Sequence, residues 1–420
     1  MKLDTKKRKK ARKGFEQVYG HRELTQRMFT ILQTGKQGLD ALQMELGVML
    51  CETIMDMERE ALSGPDWSPI NKGVYKWAYQ PGSVYLGDQK IRVRHPRLRG
   101  PQGEIHLSSY SQLKQPGSFS EEMLGRVLRG ISCRRYGETV IDAARSFGVS
   151  ASSISNRIVE ATSRKLKEFK ECNLSELNIF AIFIDTIHRA QDAFIVALGI
   201  DRAGEKHPLG FWQGATENSD ICRELFADMQ ARGLTFGKKT LWVTDGGKGI
   251  IKALRESFGT KLLHQRCTIH KDRNIQKHLP KRYRKMAHRR FTVALEQNSY
   301  ADARQMLLDF EKWLRSINES AGDSLREAME ELLTLHRLKV PALLRKTLTS
   351  TNPIENMFST VRDCEANIKR YRSSAMSQRW LAAVLLHCKK GFRRIKGYAD
   401  IADLLITIEQ YFGEETVNAA

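Results

Sequence analysis

Apolar positions recur at helical spacing through the first part of the chain. From about Leu24 to Leu62 this periodicity predicts a helix, with Leu42, Leu46, Met49 and Ile54 on one apolar face, stopped by Gly64-Pro65. The pattern then changes to alternation. The stretch from Val84 to Arg94 predicts a β-hairpin turning at Gly87-Asp88. In its second strand Ile91 and Val93 point one way while Arg92 and Arg94 point the other, extended as a basic edge by Arg97 and Arg99. Between residues 122 and 170 the helical pattern returns. Glu138 to Phe147 predicts a short helix and Gly148-Val149-Ser150 a tight turn. Ser150 then caps a longer helix from Ala151 to about Phe169.

After Asn178 the chain reads as α/β. Ile179-Phe180-Ala181-Ile182-Phe183-Ile184 is an apolar run of strand type ending in Asp185. Ala193 to Ile200 and His207 to Thr216 predict two more strands, and Ser219 to Ala231 a helix. Thr240-Leu241-Trp242-Val243-Thr244 is a second apolar run ending in an acid, Asp245, before Gly246-Gly247. A helix over 249–258 and a strand over 261–267 follow. Three strands, helix, strand, helix, strand is the order of a ribonuclease H-like core.

Two buried-type strands that each end in Asp require a physical reason. An ionised carboxylate beside apolar strands costs several kcal/mol unless it is paired or binds metal. If the two strands are neighbours, the charges of Asp185 and Asp245 repel unless a cation lies between them. Hard oxygen donors favour Mg2+ or Mn2+. Asp245 before Gly-Gly also suits an ordinary strand-to-helix turn, so its motif alone leaves both roles open.

A third acid lies beyond a long basic helical stretch. In Thr351-Asn352-Pro353-Ile354-Glu355, Asn352 is a good helix cap, Pro353 suits the first helical position, and Glu355 falls where a capping-box acid belongs. Glu355 is therefore either a cap or a third metal ligand held in a defined direction. Arg362 lies two turns further along the same face, where it can meet a phosphate.

Composition narrows the partner. The 420 residues carry 69 Lys and Arg against 48 acids, a net charge of +21, and such a surplus points to a polyanion. Lys6-Lys7-Arg8-Lys9-Lys10 with Arg12 and Lys13 reads as a basic arm. In a chain of this charge the predicted helix–turn–helix reads as a DNA-binding unit. Its second helix would lead into the major groove with Ser152, Ser153, Ser155, Asn156 and Arg157. No apolar run reaches the length needed to span a bilayer, so no membrane role is expected. The seven cysteines are scattered, odd in number and form no CxxC pair, which argues for a reducing compartment and against a zinc ribbon.

Taken in order, these pieces resemble the bacterial Mutator-type insertion-sequence transposases, a branch of the DDE recombinases. The resemblance rests on Asp185, on Thr244-Asp245-Gly246-Gly247-Lys248-Gly249, on the block from Gln265 to Asn274, and on Thr351-Asn352-Pro353-Ile354-Glu355-Asn356. The block from Gln265 is the most specific, with Cys267-x-x-His270 followed by Arg273-Asn274. The acids stand 60 and 110 positions apart, the second gap leaving room for a helical insertion. His264 departs from the pattern, standing where the family often has Trp, as does Thr186-Ile187-His188-Arg189 after the first acid.

The resemblance implies a ribonuclease H-like α/β core interrupted by an α-helical insertion, preceded by a mainly helical DNA-binding region. The expected organisation is a basic arm (1–20), a helical region with a basic hairpin (21–119), a helix–turn–helix region (120–172), the first part of the core (173–271), the insertion (272–348) and the last part of the core (349–420). It also implies that Asp185, Asp245 and Glu355 are catalytic and hold two Mg2+ or Mn2+ ions, with Cys267 and His270 beside the site. Terminal inverted repeats would be cleaved and joined to target DNA without a covalent protein–DNA intermediate. Lys248, Arg266, Arg273 and Arg362 are expected at phosphates, and Lys277, Lys281, Arg282, Arg284 and Lys285 along a DNA path. A homodimer or higher oligomer on DNA, in the bacterial cytoplasm at the nucleoid, completes the expectation. A catalytically dead regulator and a structure-directed nuclease on the same core stay open as alternatives.

Overall fold

The computed structural model describes residues 33, 39–66, 68, 70–71, 73–86, 89–115, 121–129, 151–189, 192–214, 219–259, 261–366 and 368–418. The expected basic arm, the hairpin tip at Gly87-Asp88 and the first helix and turn of the helix–turn–helix lie outside these residues. The chain divides into two compact units, Met1–Glu160 and Ala161–Ala420.

In the first unit, helix α1 (Leu39–Ser63) packs on a three-stranded antiparallel sheet of β1 (Tyr75–Leu86), β2 (Gln89–Gly100) and β3 (Gly103–Ile105). Leu86 pairs with Gln89 at the end of the β1–β2 ladder. Ile91 and Val93 are buried while Arg92 and Arg94 are exposed, as the alternation requires. The apolar face of α1 is not the expected one. Val48, Cys51 and Met55 enter the core, whereas Leu46 and Ile54 are exposed. Both sets have helical spacing, and the sheet selects one of them. Short helices α2 (Ser108–Leu113) and α3 (Glu121–Leu128) follow. Helix α4 (Ala151–Glu171) contains the boundary between the units.

The second unit is built on a five-stranded sheet in the order β6-β5-β4-β7-β8. Its strands are β4 (Ile179–Arg189), β5 (Asp192–Asp201), β6 (Lys206–Gly214), β7 (Leu241–Thr244) and β8 (His264–Arg266). Hairpin connections make β4, β5 and β6 antiparallel; β7 and β8 run parallel to β4, each reached through a helix. Helices α5 (Ser219–Ala231) and α6 (Lys248–Phe258) cover one face. There Ile182, Ile184, Ile195 and Ala197 meet Leu225, Phe226, Met229, Ile250 and Leu254. Trp242 is stacked on Phe258 at 5.2 Å and flanked by Phe226. Side chains alternate along a strand, so Asp185 has the parity opposite to Ile182 and Ile184 and faces away from this core.

Helix α7 (Thr268–Lys277) leads from β8 into a run of helices: α8 (Lys281–Leu295), α9 (Tyr300–Arg315), α10 (Glu319–Arg326), α11 (Met329–Leu332), α12 (Thr334–Arg337) and α13 (Ala342–Leu348). This insertion has a core of its own, in which Ile275, Phe291, Leu307, Phe310, Leu325 and Leu332 are buried. Its end returns to the sheet. Gln265 of edge strand β8 donates to Leu332 O at 3.2 Å, and Thr334 donates to His264 O at 2.6 Å. The insertion thereby covers a sheet edge that would otherwise present unpaired backbone groups. Helices α14 (Asn352–Glu365), α15 (Ser374–Lys389) and α16 (Ile401–Asn418) complete the unit.

Candidate active site

The parallel register places the first two acids. β4 and β7 pair from Ala181↔Leu241 to Ile184↔Thr244, so Asp185 and Asp245 are the next residues on adjacent strands. The sequence predicts that the first strand ends at Asp185, but β4 continues to Arg189, paired on its other side with β5. Asp185 therefore stands where parallel pairing ends. Asp245 leaves β7 at a turn in which Gly247 N donates to its Oδ1 at 3.0 Å and Gly246 adopts φ +95. That backbone conformation is one glycine adopts without strain.

The third acid arrives on α14. Thr351, not Asn352, caps this helix, and its side chain makes no capping hydrogen bond to the backbone. Asn352 and Pro353 are thus the first two helical residues and Glu355 the fourth, so the expected capping box does not form. Glu355 turns to the site instead. Its Oε1 lies 3.4 Å from His270 Nε2 and accepts from the Thr351 hydroxyl at 3.4 Å. The far end of α14 is anchored to β4 by a buried ion pair between Arg189 and Glu365, and Arg189 also donates to Ser377 O at 2.8 Å.

Asp185, His270 and Glu355 bring ligand atoms within 4.8 Å of one another. Asp245 is outside that close set, yet its charge acts on it. Asp185 is only 8% exposed; burial, then the Asp245 charge, push its pKa up to about 6 despite a hydrogen bond from Thr186 N at 2.8 Å. His270 is moved the other way in charge. A hydrogen bond with Cys267 and the Cys267, Asp185 and Asp245 charges outweigh burial and raise its pKa to about 9. Burial pushes the Cys267 thiol up, but hydrogen bonds involving His270 and Thr351 more than offset this and leave it lowered. Cys267 is wholly buried and accepts from Thr351 N at 3.4 Å, so it orients the His270 and Thr351 backbones rather than joining the ligand cluster.

The other expected residues separate into two groups. Lys248, Arg273 and Arg362 are exposed and make no ion pair or side-chain hydrogen bond among the described residues. Lys281, Arg282 and Lys285 are exposed on α8; Lys277 is exposed too but donates to Asn274 at 3.3 Å, while Arg284 donates to Leu279 O at 3.0 Å. Arg266 differs from the expectation. It is 4% exposed and held by Glu331 and Gly246 O, so its guanidinium is engaged inside the unit rather than offered to a phosphate. In the first unit Ser152 and Asn156 are exposed near the start of α4, while the Ser153 side chain lies outside the described ones. Arg157 also differs. It is buried, with its guanidinium 5.3 Å from the Tyr85 ring. Sequence reasoning missed Glu331 and the Arg189–Glu365 pair, because nothing local marks partners so far apart in the chain.

A family model described as "Transposase, Mutator family" matches residues 78–394, a span that contains all three acids and the insertion. The chain belongs to the Mutator family of transposases. Its relatives include the transposase for insertion sequence element IS1201 of Lactobacillus helveticus, 25% identical over 65% of this chain and 73% of that protein. The transposase for IS6120 of Mycolicibacterium smegmatis is 30% identical over 51% of this chain and 67% of its own length. The transposase for IS256 in transposon Tn4001 of Staphylococcus aureus is 26% identical over 63% and 68%. The chain's general activity is accordingly that of an insertion-sequence transposase. No helix among the described residues is long and apolar enough to cross a membrane.

Proposed function

We propose that Asp185, Asp245 and Glu355 together hold divalent cations, Mg2+ or Mn2+, with which this chain cleaves DNA at the terminal inverted repeats of an insertion sequence and joins the ends to target DNA. The observation that carries this reading is the close approach of ligand atoms of His270, Glu355 and the buried Asp185, with Asp245 next to Asp185 in the β4–β7 register and its charge helping to raise the Asp185 pKa to about 6. Such an arrangement is destabilising without a cation and suited to one. The donors are mainly carboxylate oxygens, which fit a hard metal. When bound, two such ions activate the attacking oxygen and stabilise the leaving oxygen of the phosphodiester. The five-stranded sheet, with three antiparallel strands, two parallel ones and the first acid on the central strand, is read here as a ribonuclease H-like core.

The chain's own residues supply the rest. β4 and β7 aim Asp185 and Asp245 together, and α14 brings Glu355. His270, close to both Asp185 and Glu355 and with its pKa raised, limits the repulsion of the carboxylates before metal arrives. Lys248, Arg273 and Arg362 carry free cationic ends to phosphates, and the exposed lysines and arginines of α8 extend that path. In the first unit, Ser152 and Asn156 are placed to read bases. Arg92 and Arg94 share their sheet with Arg97 and Arg99, which lie 5.7 Å and 4.4 Å from the exposed Trp77 ring, a combination suited to a DNA backbone. Joining two element ends calls for at least two copies of the chain, so the working form is a homodimer or larger.

The test is cleavage of an end-labelled duplex carrying the terminal repeat. Asp185→Asn, Asp245→Asn and Glu355→Gln are each expected to reduce metal-dependent cleavage by about 1000-fold or more, while binding of the duplex stays within about twofold. Full cleavage by any one variant removes that residue from the site. Cutting of branched substrates without strand transfer would instead make the chain a structure-directed nuclease.

A further inference from the structure

Asp245 is held less directly than its two partners. β7 ends at Thr244, Gly246 turns with φ +95, and α6 begins only at Lys248. A carboxylate on such a turn is as steady as its two neighbours, and both are gripped by side chains of β8. The Thr244 hydroxyl lies 2.9 Å from His264 Nε2. On the other side, Gly246 O accepts from Arg266 Nη1 at 3.0 Å. A Cβ at Gly246 would lie 1.9 Å from that nitrogen, so the glycine is what lets the guanidinium lie against the turn.

His264 and Arg266 are alternate residues of one strand, and both run on to a single carboxylate. Glu331 Oε2 accepts from Arg266 Nε at 2.8 Å and lies 2.8 Å from its Nη2, while Glu331 Oε1 is 3.4 Å from His264 Nδ1. Arg255 of α6 donates to the same Oε1 at 3.0 Å. Glu331 belongs to α11, in the helical insertion, and not to the sheet. One turn earlier Glu327 pairs with Lys271, which is 2% exposed and follows His270 on α7. Two acids of the insertion thus neutralise two cations buried in the core, and burying either cation alone is strongly unfavourable.

We propose that Glu331 is a positioning residue for Asp245, through which the helical insertion clamps Thr244-Asp245-Gly246 from both sides by way of His264 and Arg266. This rests on the reading of Asp245 as a metal-binding carboxylate. It gives the insertion a task inside the active site, since displacement of α11 is felt at Asp245. Both ends of the clamp act through hydrogen bonds to the Asp245 neighbours, so the clamp itself occupies neither Asp245 oxygen, of which Oδ1 accepts from Gly247 N.

Glu331→Gln keeps the shape and removes the charge, and Glu331→Asp keeps the charge. Two measurements on the full chain test the clamp: hydrogen exchange of the segment 241–250, and affinity for Mn2+ alone. In Glu331→Gln, exchange in this segment is expected to accelerate about tenfold while β4 and β5 keep wild-type protection. Mn2+ affinity should fall about fivefold or more, and Glu331→Asp should recover part of both losses. Wild-type exchange at 241–250 in Glu331→Gln overturns the proposal. Uniformly faster exchange across the whole sheet also overturns it, because Glu331 would then be a general fold contact. If the wild-type chain bound no Mn2+, the three-carboxylate reading would fall, while the exchange measurement would still decide the clamp.

Discussion

At the scale of single residues, the burial of Asp185 couples its protonation to stability. Its proton is held more tightly in the fold, with a pKa of about 6, than in an unfolded chain, where an Asp titrates near 3.8. Without metal, stability therefore falls as pH rises from about 4 to about 6 and remains lower above that. The cost at neutral pH is up to about 3 kcal/mol. Asp185→Asn is expected to raise the metal-free melting temperature at pH 7.5 by several degrees, with the difference vanishing near pH 4, as scanning calorimetry would reveal. Mg2+ should stabilise the wild type and leave the variant unmoved. A variant less stable than wild type at pH 7.5 would show that Asp185 is a structural acid. Asp185 was legible in the sequence because an acid closes a wholly apolar run. His270 was legible only as a neighbour, since no local pattern tells that its ring reaches Glu355 rather than the solvent.

Among the elements, α14 decides whether Glu355 is a cap or a ligand. Asn352 and Pro353 are both acceptable one position later in the helix than expected, so Thr351 becomes the cap and the capping-box register is lost. Local capping rules carry about 1 kcal/mol, and packing of Ile354, Met357 and Phe358 overrides them. The same helix is tied to β4 by Arg189 and Glu365. Burial raises the Glu365 pKa although Arg189 opposes it, which marks an acid that depends on its partner. Arg189→Met should destabilise the second unit by about 3–5 kcal/mol, whereas the double change with Glu365→Met should recover most of the loss. Urea unfolding of the pair of variants checks this, and equal losses in both would deny that the tether acts as a pair. The succession of strands and helices in the core was readable from the apolar runs, and the parity of β2 from alternation, whereas the order of strands within the sheet was not. The buried side of α1 was not, because two apolar stripes of equal spacing compete there and only the sheet chooses Val48, Cys51 and Met55.

For the whole molecule, the sequence's charge and its three separated acids agree with a transposase in which Glu355 reaches the site from a helix more than 80 residues downstream of β8. The interval is filled by an insertion with its own core, and that insertion returns to the sheet edge. Long-range closure of this kind leaves no periodic trace, which is why Glu331 and Glu327 read as ordinary helix-surface acids. Part of the sequence's positive excess lies in the Lys6–Lys13 stretch, and part on β2 and α8, where exposed cations suit phosphate contact. Central to the proposed function is metal binding by the acids from β4, β7 and α14 as a set. Electron paramagnetic titration of the full chain with Mn2+ tests it most directly. The wild type is expected to bind about two ions per chain, and Asp185→Asn, Asp245→Asn and Glu355→Gln should each weaken binding about tenfold or more, while Arg362→Ala leaves it unchanged. Wild-type Mn2+ titration curves in all three carboxylate variants would contradict the account.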